Sequence, residues 1–359
     1  MKAWFGMFVI ALCAALVSAC SAPAETSLEP TSIRVVVVTM FERGEATGDS
    51  PGELQLWAER FPFTETLDFP QGYRELLYDP RGVLAMVTGV GTARSAASVM
   101  ALGMDPRFDL SNAYWLVAGI AGIDPEDASV GSAAWARYVV DGDLAHQIDL
   151  REAPEGWPTG YIPLRKATPY ELPLQEDTEG AVYELNVGLR DWAYAVTRDV
   201  DLGDSEELQD VRSRYPDFPA ALEPPRVLLG DNLAAMTFWH GALLNDWAND
   251  WTAYFTEGAG NFVTSAMEDT GTLQAIDFLE RAGRARRDRV MVLRSGSNFT
   301  MQPDGATAAE SLAGEKKGSY SAYLPSLEAL WRVGSPVVEE LLAGWEVFEI
   351  STPSAELDE

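Results

Sequence analysis

One short segment, residues 33–39 (IRVVVVT), constrains the fold of this chain more than any other. Four successive valines leave no polar face, and their β-branched side chains favour extended backbone. A run of this kind is stable as a central parallel strand with both faces covered, where polar alternation is unnecessary. Residues 82–87 repeat the signal, and Gly89-Val90-Gly91-Thr92-Ala93-Arg94 then turns the chain into a helix through about Gly103. Further strands are predicted at 114–117, 131–140, 226–229 and 289–293, with a small-residue turn at 118–122 and loops at 230–232 and 294–298. Helices are predicted at 186–198, at 206–214, after Glu268 (Leu273, Ile276, Leu279 and Ala282 on one stripe), at 324–333, and at 336–347 opened by Pro336. Strand, small-residue turn and helix in repetition favour a mostly parallel α/β sandwich. Sites in such folds gather beyond the carboxyl ends of the strands, where loop amides and helix N-termini converge.

Between these elements lie less regular stretches. Residues 41–67 read as a surface excursion, 145–188 as an irregular insertion rich in proline and aromatics, and 349–359 as a disordered acidic tail. The aromatic-dense tract 239–251 reads as a packed core helix.

The N-terminus carries a separate message. Lys2, an apolar stretch over residues 4–17 and Val17-Ser18-Ala19-Cys20 resemble a bacterial lipoprotein export signal, too short for a confident bilayer span. On that reading residues 1–19 are removed, Cys20 is acylated, Ser21 permits outer-membrane sorting, and residues 20–32 are a tether ahead of one domain at 33–348. The expected location is the periplasmic side of a bacterial membrane, held by lipid. Cys13 would be lost with the signal, leaving no cysteine for a disulfide.

A net charge of −29 argues against a nucleic-acid surface or a broad anionic-lipid surface. Two histidines, His146 and His240, with no Cys/His cluster, make a zinc site unexpected, and no metal or organic cofactor is implied.

Several positions have the residue types that chemistry needs. Gly89 and Gly91 let backbone amides approach an anion, with Thr92 and Arg94 adding a hydroxyl and a charged fork; tight strand–helix packing explains the glycines equally well. Glu268, between an apolar run and a helix, needs a partner such as an arginine or sugar hydroxyls. Phe262 offers a ring either to a purine or to the core. Ser297-Asn298 offers donors and acceptors without a titratable proton.

The segments VVVVTMFE, TGVGTARSAASV, VAGIAGIDPEDASVGSAAWARYVVDGDLAHQID, GWPTGYIPL, SAMEDTGTLQAI and VLRSGSNF, in this order, resemble the purine nucleoside permeases, from about Ile33 to Phe348. That family is similar in turn to the purine and uridine nucleoside phosphorylases and the nucleosidases. The resemblance implies a three-layer α/β/α fold around a mixed, partly barrel-like central sheet. It also implies an exported purine-nucleoside-binding protein that cleaves the N-ribosyl bond by hydrolysis or phosphorolysis, with phosphate as a candidate co-substrate near Gly91–Arg94. The alternative is a non-enzymatic nucleoside-capture component of a transport system; a homo-oligomer or a transport partner is left open.

Site roles follow from the same resemblance. Met267 packs on the sugar, Glu268 accepts from the ribose hydroxyls, and Ser297-Asn298 reads the base. Relatives place an aspartic acid where this chain has Asn298, so acid catalysis there is in doubt, and Asp231 or Asp143 are candidate substitutes. His146 resembles a residue near the nucleoside 5′ side. Arg43 sits where relatives hold another phosphate contact, although a surface arginine is the plainer reading. No stretch after the signal approaches 18 apolar residues, so uptake would have to work through capture, processing or a partner.

Overall fold

A computed structural model describes residues 29–174, 178–315 and 322–357. The export signal and Cys20 lie outside these residues. The centre of the molecule is a twelve-stranded mixed sheet that branches and does not close into a barrel. Its key strands are β1 (Val35–Thr39), β2 (Val83–Val87), β3 (Tyr114–Ile123), β4 (Ala133–Trp135), β5 (Tyr138–Asp141), β6 (Val227–Leu229), β7 (Asp231–Ala234), β8 (Phe262–Ala266) and β9 (Val290–Phe299). The helices that matter here are α1 (Gln55–Arg60), α2 (Thr92–Gly103), α3 (Val187–Thr197), α4 (Ala242–Phe255), α5 (Asp269–Arg281) and α6 (Tyr323–Ala343).

β1 lies between β2 and β3, parallel to both, and β3 also pairs in parallel with β9. The valine run is explained by two cores. Val35 and Val37 pack into the layer that holds Trp57 of α1, Leu189 of α3 and Leu330 of α6. Val36 and Val38 pack into the opposite layer, with Val99 of α2 and Ile276 of α5. With helices on both faces, apolar side chains are stabilising at every position of the strand, and the three-layer α/β/α expectation holds.

Several boundaries differ from the sequence reading. The expected turn at 118–122 is the second half of β3, which runs on to pair antiparallel with β8 through Thr264↔Ile123. The expected loop at 294–298 is likewise strand, because β9 continues to Phe299 along β3 with one register shift between Gly296 and Asn298. Small residues mark these halves because strands meet closely there: a Cβ at Gly296 would lie 2.7 Å from the Ile123 side chain. Residues 131–140 split into β4 and β5, and the chain resumes as β7 immediately after Gly230. The two helices expected around 336 are one helix, α6, with Pro336 inside it. The stretch 41–67 is no mere excursion, since it contributes the buried Trp57 and Glu53. The described part of the C-terminal tail is held in place, with Ala355 N donating to Gly188 O at 3.2 Å. Among the described residues no helix is long and apolar enough to cross a membrane.

Candidate functional site

The carboxyl ends of the parallel strands converge on a cavity of about 280 Å³. Glu53 and Phe41 reach it from the loop after β1, Val90 from the loop after β2, and Ile120–Gly122 from β3. Ser265–Glu268 come from the end of β8, Ser297 and Asn298 from β9, and Arg43, Phe238 and Tyr323 complete the wall.

A buried charge cluster forms its floor. The Arg294 guanidinium, on β9, makes a bidentate pair with Asp269, Nε to Oδ1 at 3.0 Å and Nη2 to Oδ2 at 2.6 Å. The same Nη2 lies 3.3 Å from Glu268 Oε2. Glu268 also accepts from the amides of Gly91 and Met267, each at 3.2 Å. Glu53 accepts from Met40 N at 2.6 Å and from Ile120 N at 2.8 Å. Three carboxyl groups thus face one guanidinium in surroundings where an uncompensated charge is costly.

The protonation states follow from that imbalance. Burial pushes the Glu53 carboxyl up to about 8, against the attraction of Arg294 and with help from the negative charge of Glu268. Burial raises Glu268 as well, opposed chiefly by Arg294. Burial alone would pull the proton from Arg294, but Asp269, Glu268 and Glu53 outweigh it and hold the guanidinium charged. The site therefore stores a proton on Glu53 near neutral pH, in a group that faces the cavity.

The structure brings together Met267, Glu268, Ser297 and Asn298 as cavity wall. Asn298 accepts at Oδ1 from Ser297 Oγ (3.0 Å) and donates from Nδ2 to Phe299 O (3.0 Å), which fixes its amide plane. Arg43 is exposed, as the plainer reading had it, and it also lines the cavity, with its guanidinium 5.0 Å from the ring centroid of Tyr323.

Other expected residues fall elsewhere. Asp231, offered as an acid, is buried but satisfied by the amides of Arg137, Tyr138 and Asn261, and it lies outside the cavity lining. It ties β7 to neighbouring strands. Phe262 is core: it packs against Trp239 with ring centroids 6.0 Å apart. His146 is exposed on a short antiparallel ribbon opposite Ile162, and Asp143 accepts from Met236 N at the surface. Gly91, at φ 95°, does supply an amide, but Glu268 takes it in place of an external anion. Gly89 has φ 84°, which suits glycine in the strand-to-helix turn. Arg94 is exposed and folds back on Val90 O, while the Thr92 backbone packs where a Cβ on Gly271 would meet it at 2.2 Å.

Glu53, Asp269 and Tyr323 carried no signal in the reading from sequence. Glu53 sits in an acidic, glycine-containing stretch; the one available hint was its place two residues before a helix bearing Leu56 and Trp57.

The family model for purine nucleoside permease matches residues 32–353. The chain belongs to that family. A protein of Schizosaccharomyces pombe named probable purine nucleoside permease is 32% identical over 270 residues, covering 73% of this chain and 76% of the relative. A Candida albicans protein named purine nucleoside permease is 31% identical over 272 residues, covering 74% of this chain and 65% of its own length. Among solved structures, futalosine hydrolase of Helicobacter pylori superposes with a TM-score of 0.50 at 15% identity, covering 86% of this chain and 98% of that one. The 5′-methylthioadenosine/S-adenosylhomocysteine nucleosidase of the same bacterium gives 0.50 at 14% identity, covering 87% and 100%. At such identity these two establish the shared nucleosidase-like fold, and the fold alone.

Proposed function

We propose that this family member binds purine nucleosides in the cavity and cleaves the N-ribosyl bond with water as the nucleophile. The names of the relatives and the fold support nucleoside binding. The observation that carries the choice of reaction is the Gly91 amide bonded to Glu268: the loop suited to hold phosphate already holds a carboxylate. The Arg294 guanidinium is already paired with Asp269 and Glu268, and Arg43 is the one cation among the described lining residues, so a phosphate dianion would meet a single counter-charge.

In this reading Glu268 accepts from the ribose hydroxyls and the Ser297-Asn298 pair faces the base. Water attacks C1′, the C1′–N bond breaks with its electron pair going to the base, and Glu53 in its ionised form, whose share grows as pH rises toward about 8, takes the proton of the water. The carboxylates also stabilise the oxocarbenium-like centre, since they are fixed before reaction and shielded from solvent. Incubating the purified protein with adenosine, guanosine or inosine, with and without phosphate, tests the reading. Free base and ribose are expected regardless of phosphate; ribose-1-phosphate would overturn the choice of water. Glu268→Gln is expected to weaken nucleoside binding by roughly 1.5–3 kcal/mol in calorimetry, as for a lost charged acceptor.

A second reading, capture without cleavage, is favoured by Asn298, which has no proton to give a departing base. Binding of a nucleoside with no release of base would select it. Export with lipid attachment at Cys20 also belongs to the proposal and rests on residues 1–20 alone. Cys20→Ser is expected to move the protein from the membrane fraction to the soluble fraction, and an unacylated chain starting elsewhere, seen by mass spectrometry, would exclude it.

A further inference from the structure

The cavity distributes its chemistry unevenly, and this bears on which ribosides it takes. Its two carboxyl groups, Glu53 and Glu268, belong to the cluster around Arg294, at the sugar end of the proposed binding mode. The wall assigned to the base offers a hydroxyl and an amide, Ser297 and Asn298, each already engaged by protein groups. Neither can hand a proton to a leaving group. A neutral purine departs as an anion unless something protonates it, whereas a base that already bears a positive charge departs neutral. Asn298 is thus a handicap for the first kind of substrate and none for the second.

Two independent features of the same cavity favour a cation. Glu268 and Asp269 both pair with the single Arg294 guanidinium, and Glu53 lies within its field, so the floor holds more carboxyl groups than cations. Three aromatic side chains, Phe41, Phe238 and Tyr323, line the cavity, and the face of an aromatic ring attracts positive charge. The Tyr323 ring already demonstrates this, since it carries the Arg43 guanidinium at 5.0 Å.

We propose that the cavity preferentially takes N-ribosyl compounds whose base is quaternised: N7-alkylated purine ribosides, or pyridinium ribosides of similar size. The inference rests on the cleavage reading above for its chemistry, and on the cavity itself for its binding preference. The bonds balance without an added acid. The oxygen of water bonds to C1′, the C1′–N electron pair neutralises the cationic ring, and the proton of the water passes to Glu53.

The test compares 7-methylguanosine and nicotinamide riboside with guanosine and inosine on the full-length protein, with binding read in mildly acidic buffer, where the methylated base keeps its charge, and cleavage read near pH 8, where Glu53 can accept a proton and the pyridinium ring keeps its charge. Dissociation constants come from stopped-flow tryptophan quenching before turnover, and rates from base release corrected for spontaneous loss. Binding of 7-methylguanosine about 10-fold tighter than guanosine is expected, the range of a desolvated cation–π contact, together with faster cleavage. Asn298→Asp should narrow the ratio of cationic to neutral cleavage rates by supplying the missing acid. Equal or tighter binding of the neutral ribosides would overturn the preference even if they were cleaved, leaving the hydrolase reading intact. An unchanged rate ratio in Asn298→Asp would overturn the leaving-group argument. If no riboside is cleaved, the hydrolase reading fails, and the binding ratio alone decides the preference for a cation.

Discussion

Arg294→Met is expected to be the most damaging single substitution in this protein. It removes the one cation from a cluster where Asp269 is fully buried and Glu268 nearly so, leaving both without their counter-ion. Breaking a buried pair from one side costs about 3–5 kcal/mol, because the partner's charge stays behind, desolvated. Urea denaturation should show an unfolding free energy lowered by that amount, and with it a lower midpoint. Adding Asp269→Asn to Arg294→Met should recover part of the loss, since the second change removes one stranded carboxylate. A midpoint equal to that of the unmodified protein would mean that the cluster is solvated and that the charge argument is wrong.

Glu53→Gln is expected to lower the rate of base release by about 10²–10⁴-fold, the usual contribution of a positioned proton acceptor, with folding preserved. Its pH behaviour separates the roles of the group. As the acceptor of a proton from water, Glu53 must be ionised, so the activity of the unmodified protein should climb as pH rises toward about 8 and level off above it. A fall across the same range would make Glu53 a proton donor.

Stability should move the other way. The folded state holds the Glu53 proton up to about 8, whereas the unfolded chain releases it near the ordinary value of 4.5. The folded state therefore binds more protons between these values, and stability falls as pH rises from 4.5 to 8, then becomes flat. Glu53→Gln, which cannot ionise, should match the unmodified protein at the acidic end of this window and exceed it in thermal stability at the alkaline end.

What could be read from the sequence was whatever rests on local pattern. The valine run at 35–38 required two covered faces, and α2, α3 and α5 lie within one or two residues of the expected bounds, because each carries an apolar stripe bounded by glycine or a cap. The family resemblance pointed to Met267-Glu268 and Ser297-Asn298 as candidates, and both pairs line the cavity. Asn298 in place of an acid was visible as a chemical fact before any fold was known.

The tertiary structure decided the rest. Small residues at 118–122 and 294–298 look like a turn and a loop in a linear reading, but they are strand positions where β3, β8 and β9 meet too closely for larger side chains. Asp231 and Glu53 are both acids beside glycines, and nothing in their neighbours along the chain separates them. Folding gives Asp231 three amide donors away from the cavity, and gives Glu53 a cavity wall beside Glu268 and Arg294. Their protonation is set by groups tens to hundreds of residues distant in sequence, because burial and Coulomb interaction depend on distance in space, which only the packed chain defines.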